Sequence, residues 1–197
     1  MVRHNKKYRD IMETAKRLFW KHGLRRVTIE EICQEANVSK MTFYKYFPNK
    51  TELAKEILDR MFEENMRAFD ELMLSDIPFE EKMHRQIKMK LQGTRDISEE
   101  FVKDIYGDPE SELCIYWKKQ SEKVIGGVIE HYRNAQEKGW LRKDLKIDFI
   151  LYMINKSFEM VNDQSLIAKY DTMQDLILEI NRFFLYGILP YDKQTDD

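Results

Sequence analysis

The sequence predicts an all-α protein with a small three-helix N-terminal head, a long connecting helix and a larger helical body. Three observations predict it. Apolar residues recur at spacings of three and four over most of the chain, as on one face of an α-helix. The 197 residues include 7 Gly and 4 Pro, few enough to favour long helices over β-sandwiches or disordered linkers. Hydrophobic residues make up 43%, which allows a sizeable core.

The first two helices have clear boundary signals. An amphipathic helix is predicted over about residues 6–22, and Gly23 is placed to end it. Thr28 and Glu31 have the spacing of a capping box, in which each side chain satisfies a backbone amide at a helix start. The second helix should therefore begin after Thr28. Its expected buried face consists of Ile29, Ile32, Cys33 and Ala36.

A tight turn and a short third helix follow. Asn37 tolerates the left-handed conformation that such a turn requires. Ser39 is expected to cap a helix over about residues 40–46. Phe43 and Phe47 are four residues apart and should pack into the first two helices. The three helices then form a helix-turn-helix with a core of its own.

The rest of the chain is predicted to be helical as well. A long fourth helix, capped by Asn49 or Thr51, should end near Leu74 and span roughly 36 Å at 1.5 Å per residue. Gly126 and Gly127 fall inside a later helix, where close packing or a kink could explain them. The later helices are expected over about residues 79–92, 98–106, 111–138, 147–170 and 172–189.

The last two helices, about residues 147–170 and 172–189, carry apolar residues on more than one side. The first of them has one stripe containing Leu151 and Ile154 and a second containing Phe149 and Met153. A helix that is apolar on two sides needs two packing partners. One side can serve the subunit's own core, and a second copy of the chain would cover the other. The sequence therefore predicts a homodimer through these two helices.

The helix-turn-helix has the charge and side chains of a reader of double-stranded DNA. Residues 1–60 contain 14 Lys and Arg and 8 Asp and Glu, whereas residues 61–197 contain 19 Lys and Arg and 27 Asp and Glu. The N-terminal part is therefore basic and the remainder acidic. The N-terminal residues of a second, reading helix lie nearest the base edges in the major groove. Candidate base contacts are Lys40, Met41 and Thr42. Candidate phosphate contacts and flanking residues are Thr28, Ser39, Tyr44, Lys45, Tyr46 and Lys50.

Three of these assignments have a plainer alternative. Tyr44 and Tyr46 could be half-buried packing residues, although Phe43 and Phe47 already occupy the buried face. Lys45 could be a solvated charge. A pair of heads would be needed for useful affinity, so a near-palindromic operator and a steep salt dependence are expected.

The N-terminal residues resemble the tetracycline-repressor (TetR) family. The resemblance covers about the first 55 residues, and the later residues match only in helix count and length. Asn37 stands where the family usually has Gly, and Met41 stands where it often has a small residue. The pattern consists of Ala15, Leu18, Phe19, Gly23, Thr28, Ile32, Ala36, Val38, Ser39, Thr42, Phe43, Tyr44, Tyr46, Phe47, Lys50 and Leu53.

The resemblance implies a helix-turn-helix DNA-binding domain over residues 1–52 and a ligand-binding and dimerisation domain over 53–197. It also implies repression released by a small-molecule effector, here expected to be mainly apolar and neutral or cationic. Pocket candidates are apolar and aromatic residues, or polar residues on apolar faces, and each could equally be plain core or hydrogen-bond within the chain. They are Met66, Phe69, Met83, Ile87, Phe101, Ile105, Tyr106, Trp117, Gln120, Asn155, Phe158, Glu159 and Asn162.

Other functional classes find less support. A DNA-binding dimer without a ligand remains an alternative, and an all-helical enzyme is disfavoured because the four His are scattered and no catalytic or metal motif occurs. No cofactor or metal is expected. Cys33 and Cys114 are expected to be buried thiols, with redox sensing as the alternative. The chain shows no signal peptide and no run of roughly 18 apolar residues, so a cytoplasmic location is expected.

Overall fold

The computed structural model describes residues 6–94, 97–161 and 163–189, and all regular secondary structure in these ranges is helical. The helices are α1 (Lys6–His22), α2 (Ile29–Glu35), α3 (Lys40–Tyr46), α4 (Lys50–Leu74), α5 (Phe79–Thr94), α6 (Glu99–Tyr106), α7 (Glu112–Glu137), α8 (Ile147–Met160), α9 (Gln164–Ile167) and α10 (Met173–Ile188). The all-α prediction is confirmed.

The described residues divide into two compact units. The first contains residues 6–65 and 97–121, and the second contains 66–94, 122–161 and 163–189. The division therefore falls within α4 and within α7. Helix α6 and the beginning of α7 belong to the first unit, and the boundary between a DNA-binding and a ligand-binding domain after residue 52 stays a prediction.

The core of the first unit is built around the predicted three-helix head. Ile11, Phe19, Ile32 and Phe43 are completely buried and form its centre. Helix α6 covers α1, since the ring centroids of Trp20 and Phe101 lie 4.4 Å apart. The Ser98 backbone N–H also donates to the Trp20 carbonyl oxygen at 2.8 Å, which fixes the start of α6 against the end of α1.

The second unit has its own apolar core. Phe69 of α4, Met83 of α5, Tyr132 of α7 and Leu185 of α10 are buried within it. Gly127 of α7 packs closely against Met66, because an added Cβ would come within 2.9 Å of the Met66 methyl carbon. The close-packing explanation for that glycine is thus supported, whereas the position of Gly126 is open.

The expected single helix over residues 147–170 is wrong. Helix α8 ends at Met160, and Asp163 caps the short helix α9 by accepting hydrogen bonds from the Ser165 and Leu166 backbone N–H groups. An Asp at this position competes for backbone donors and starts a new helix. The two predicted stripes of α8 are nevertheless distinct, because Leu151 and Ile154 pack on the core while Phe149 is exposed.

Candidate DNA-binding interface

The predicted capping box fixes the start of α2. The Glu31 backbone N–H donates to the Thr28 hydroxyl oxygen at 3.1 Å, and the Thr28 backbone N–H donates to the Glu31 carboxylate at 2.8 Å. The Thr28 hydroxyl donates to the same carboxylate at 3.0 Å. The hydrogen bond from the Thr28 backbone N–H, and to a lesser extent the one from the Thr28 hydroxyl, holds the pKa of the Glu31 carboxylate below its usual value. Thr28 is thereby rigidly placed at the exposed N-terminus of α2, where a phosphate could be bound.

Helix α2 is followed by a tight turn in which Asn37 has a left-handed backbone conformation. Its φ of 51° is in the region that non-glycine residues rarely adopt. The Asn37 N–H donates to the Gln34 carbonyl oxygen at 3.2 Å, and the Val38 N–H donates to the Cys33 carbonyl oxygen at 2.9 Å. This pair of bonds is the Schellman motif. The prediction of a left-handed Asn37 is confirmed, and the turn directs the chain into α3.

Helix α3 has a buried side and an exposed side. Ser39 caps it, because its hydroxyl oxygen accepts from the Thr42 backbone N–H at 3.1 Å. Phe43 and Phe47 are buried in the core of the first unit. On the opposite side, Met41 is 84% exposed and Tyr44 is 54% exposed. Met41 near the start of the reading helix and Tyr44 in its second half are thus presented to solvent, with Lys45 exposed beside Tyr44.

Tyr46 and Thr42 occupy intermediate positions on α3. The Tyr46 ring packs edge-on against Tyr8 of α1 at 5.6 Å between centroids, so it is partly buried. The Thr42 hydroxyl lies 3.0 Å from the Ser39 hydroxyl. The packing alternative for Tyr46 therefore applies to its ring, whereas Tyr44 is the more open of the two tyrosines.

Lys40 is paired with an acidic residue of α2. Its ammonium group donates to the Glu30 carboxylate, and both side chains remain more than half exposed. The hydrogen bond raises the pKa of Lys40 and lowers the pKa of Glu30. Sequence reasoning did not single out Glu30, although an acidic residue beside a basic reading helix is a visible signal.

Lys50 faces the chain rather than open solvent. Its ammonium group donates to the carbonyl oxygens of Val27 at 2.6 Å and Arg25 at 3.3 Å. Partial burial lowers the pKa of Lys50, while the Asp104 and Glu31 carboxylates act in the opposite direction. Lys50 therefore holds the turn that precedes α2.

Asp104 of α6 holds the same turn from another helix. Its carboxylate accepts from the Arg25 backbone N–H at 3.0 Å and lies 3.3 Å from the Arg25 guanidinium Nε. Gly23, with a φ of +78°, lets the chain approach α6, because an added Cβ would come within 2.8 Å of the Asp104 carboxylate. No local signal could have predicted this contact, since 79 positions separate the two residues in sequence.

The pocket candidates do not form one set. Met66, Phe69, Met83 and Ile87 contribute to the core of the second unit. Asn155 and Glu159 of α8 are exposed, and Glu159 accepts from the Lys156 ammonium at 2.6 Å. Phe158 lies in α8, and Asn162 falls outside the described residues. The candidates that belong instead to the first unit are Phe101, Ile105, Tyr106, Trp117 and Gln120.

A buried polar pair in the second unit was missed. The Gln86 amide nitrogen lies 3.5 Å from the Tyr132 hydroxyl, and both residues are buried. Among the described residues, none donates a hydrogen bond to the Gln86 amide oxygen. Burial raises the pKa of Tyr132 to about 12, so its hydroxyl is neutral at physiological pH. A polar residue between Met83 and Ile87 on an apolar face was the available signal.

Within residues 6–94, 97–161 and 163–189, no group of three or more His, Cys, Asp or Glu side chains is arranged to hold a metal ion. Among the described helices, none combines the length and the apolar character needed to cross a membrane.

Comparisons with known proteins assign the helix-turn-helix to a family. Residues 11–57 match the model for bacterial regulatory proteins of the tetR family. The HTH-type transcriptional regulator YhgD of Bacillus subtilis, itself uncharacterized, is 30% identical over 134 residues, which cover 61% of this chain and 70% of that protein. The chain therefore belongs to the TetR family and is a DNA-binding transcriptional regulator.

Solved structures of the same family share the fold over nearly the whole chain. The regulatory protein TetR from Rhodobacter sphaeroides superposes with a TM-score of 0.73 at 16% identity, covering 94% of this chain and all of that one (100%). FadR from Bacillus subtilis, solved in complex with stearoyl-CoA, gives a TM-score of 0.70 at 16% identity and covers 92% and 99%. Regulators of this family bind DNA and act as dimers with small-molecule effectors.

Proposed function

We propose that this regulator is a dimeric repressor that binds a near-palindromic operator and is released by a small, mainly apolar ligand. The observation that carries the DNA-binding part is the two-sided geometry of α3. Its Phe43 and Phe47 side is buried, and its Met41 and Tyr44 side is open. A short helix presented in this way can enter the major groove with its N-terminal residues against the base edges.

The proposed contacts are divided between bases and phosphates. Lys40 would donate to guanine O6 and N7, Met41 would press on a thymine methyl group, and the Thr42 hydroxyl would serve as donor or acceptor. Tyr44 would donate its hydroxyl to phosphate, and Thr28 would present the N-terminus of α2. The proposed flanking contacts are Ser39, Lys45, Tyr46 and Lys50, of which the last two are partly engaged within the chain.

The dimer is proposed to form through α8 and α10. Phe149 and Tyr152 of α8 and Phe183 and Tyr186 of α10 are all exposed in the single chain. Monomeric proteins rarely leave several large aromatic side chains of neighbouring elements uncovered. A second copy of the chain would bury them and would place two reading helices on successive major grooves.

The effector is proposed to bind in the second unit. Its core contains flexible and aromatic side chains such as Met83 and Phe69, together with the polar pair of Gln86 and Tyr132. Such a mixture suits an apolar ligand with few polar groups. The Bacillus subtilis FadR was solved with stearoyl-CoA, of which the acyl chain is the apolar part. A ligand that favours a shape with the wrong spacing of heads would move the population away from DNA.

Selection of bound fragments from random duplex DNA tests the operator proposal. Enriched fragments should share a near-palindrome with half-sites about one helical turn, or a multiple of it, apart. Affinity for the selected fragment should fall steeply with salt, by about 0.9 in the log–log slope for each phosphate neutralised. Affinity that is unchanged between low and moderate salt would contradict DNA binding by the basic head.

A thermal-shift screen tests the effector proposal. The panel should contain stearoyl-CoA together with neutral and cationic lipophilic compounds. A compound that raises the melting temperature should also weaken binding to the selected fragment. A compound that binds and leaves operator affinity unchanged would contradict ligand release. If the whole panel were without effect, a ligand-independent dimeric regulator would be favoured.

A further inference from the structure

The ion pair between Glu30 and Lys40 connects the two helices of the DNA-reading motif. Glu30 lies in the first turn of α2, and Lys40 is the first residue of α3. Both side chains are exposed, so the pair lies on the surface of the motif rather than in its core. The neighbouring Glu31 is occupied differently, because the capping box bonds it to Thr28.

This pairing changes what Lys40 can offer to DNA. Binding to unrelated sequences depends almost entirely on contacts between basic side chains and phosphates. A Lys40 ammonium that stays paired adds no net charge to such a complex. If it leaves Glu30 to reach a phosphate, the carboxylate remains beside the negatively charged backbone. Both effects oppose the use of Lys40 in sequence-independent binding.

A base sequence that matches the reading helix can replace the hydrogen bond between Lys40 and Glu30. Guanine O6 and N7 can accept from the Lys40 ammonium in place of the carboxylate, and a Glu30 carboxylate can accept from a cytosine N4 amine. We propose that Glu30 is a specificity-determining residue, which keeps the Lys40 ammonium from the phosphate backbone until suitable base edges replace it. This inference rests on the proposed base-reading role of Lys40.

The test compares the salt dependence of binding to two duplexes, a scrambled 30-base-pair sequence and the operator selected from random DNA. Glu30→Gln should bind the scrambled duplex more tightly, with a log–log salt slope steeper by about 0.9 per protomer. Between 50 and 200 mM salt, affinity for that duplex should then fall about 3.5-fold more than the wild type's for each protomer bound, or about 12-fold more for the dimer. The ratio of operator affinity to scrambled affinity should decrease.

Glu35→Gln is the matched control. It removes the same charge from the same helix, but Glu35 pairs with Arg17 of α1 rather than with the reading helix. Its salt slope should equal that of the wild type. Lys40→Met should weaken operator binding, and adding Glu30→Gln to it should not steepen the slope. Should Gln destabilise α2, Glu30→Asp keeps the charge but draws it back from Lys40, and should steepen the slope in the same direction.

The outcomes separate this inference from the proposed function. If Glu30→Gln matches the wild type or Glu35→Gln, while Lys40→Met still weakens operator binding, Glu30 does not determine specificity and the base-reading role stands. If Glu30→Gln steepens the salt slope equally in the Lys40→Met background, the effect comes from the loss of a negative charge and not from Lys40, and the inference is wrong. If Lys40→Met leaves operator affinity unchanged, the base-reading role of Lys40 is itself wrong.

Discussion

Asn37 shows how one residue controls the geometry of the reading motif. Its left-handed backbone completes the Schellman bonds that end α2. Asn37→Ala should lower the free energy of unfolding by about 1 kcal/mol, because a Cβ without a compensating side-chain amide disfavours this conformation. Urea denaturation measures the change. Asn37→Gly is the matched control and should remain within about 0.5 kcal/mol of the wild type, since glycine adopts the conformation without that penalty.

Gln86 and Tyr132 allow a similar test in the core of the second unit. Gln86→Leu leaves the buried Tyr132 hydroxyl without its described partner, which should lower the free energy of unfolding by about 1–3 kcal/mol. Adding Tyr132→Phe should recover most of that loss, because replacing both partners removes the unpaired group. Chemical denaturation of the two single variants and the double variant gives the coupling. Additive losses would show that the pair is not coupled.

At the scale of elements, helix ends were predictable and one helix interior was not. Thr28, Ser39 and Ser98 precede apolar periodic segments, and all three cap the helices that follow them. Their action depends on residues three positions away, so the sequence contains the whole interaction. Asp163 uses the same chemistry inside the segment that was predicted as one helix over about residues 147–170. Four consecutive polar residues, 162–165, interrupt the apolar stripes there, and this signal of a new helix start was not used.

The exposed stripe of α10 supports a prediction about assembly. Phe183 is 77% exposed, so Phe183→Glu should change the stability of a single chain by less than about 0.5 kcal/mol. In the proposed dimer the same carboxylate would be buried without a partner. Analytical ultracentrifugation should then show a monomer, and operator affinity should fall about a hundredfold or more as the two heads act separately.

Leu74→Glu is the control for that experiment. Leu74 ends α4 and is 79% exposed, so it accepts the same charge at the same exposure outside α8 and α10. The Leu74 variant should keep the mass and operator affinity of the wild type. If Phe183→Glu and Leu74→Glu both remain dimeric, the dimer interface lies elsewhere. If both variants dissociate, the added charge has a general effect on assembly.

At the scale of the whole molecule, the sequence predicted the head but not what completes it. The periodicity of residues 6–47 defines a small core by local spacing alone. Phe101 covers Trp20, and Asp104 holds Arg25, because α6 packs against the end of α1. No residue close to these partners in the sequence indicates either contact. Such long-range packing is also why the pocket candidates, chosen by residue type, were distributed over both units.

The discontinuous first unit predicts that the head does not fold fully by itself. A fragment of residues 1–65 lacks Phe101, Ile105 and Leu113, which are buried in the same core as α1 to α3. Removing them exposes apolar surface, at about 25 cal/mol for each Å². The fragment should unfold at a lower urea concentration than the full chain, and the emission of its single Trp20 should be red-shifted.

The full chain with Trp117→Phe and Trp140→Phe is the reference, because Trp20 is then its only tryptophan as well. Circular dichroism must show that this reference keeps its helices. A fragment with the same unfolding midpoint and the same Trp20 emission as the reference would mean that residues 1–65 are an independent domain. In that case α6 could be removed without loss of the DNA-reading structure. The lower midpoint is expected because the fragment lacks Phe101 of α6, which packs on Trp20 of α1.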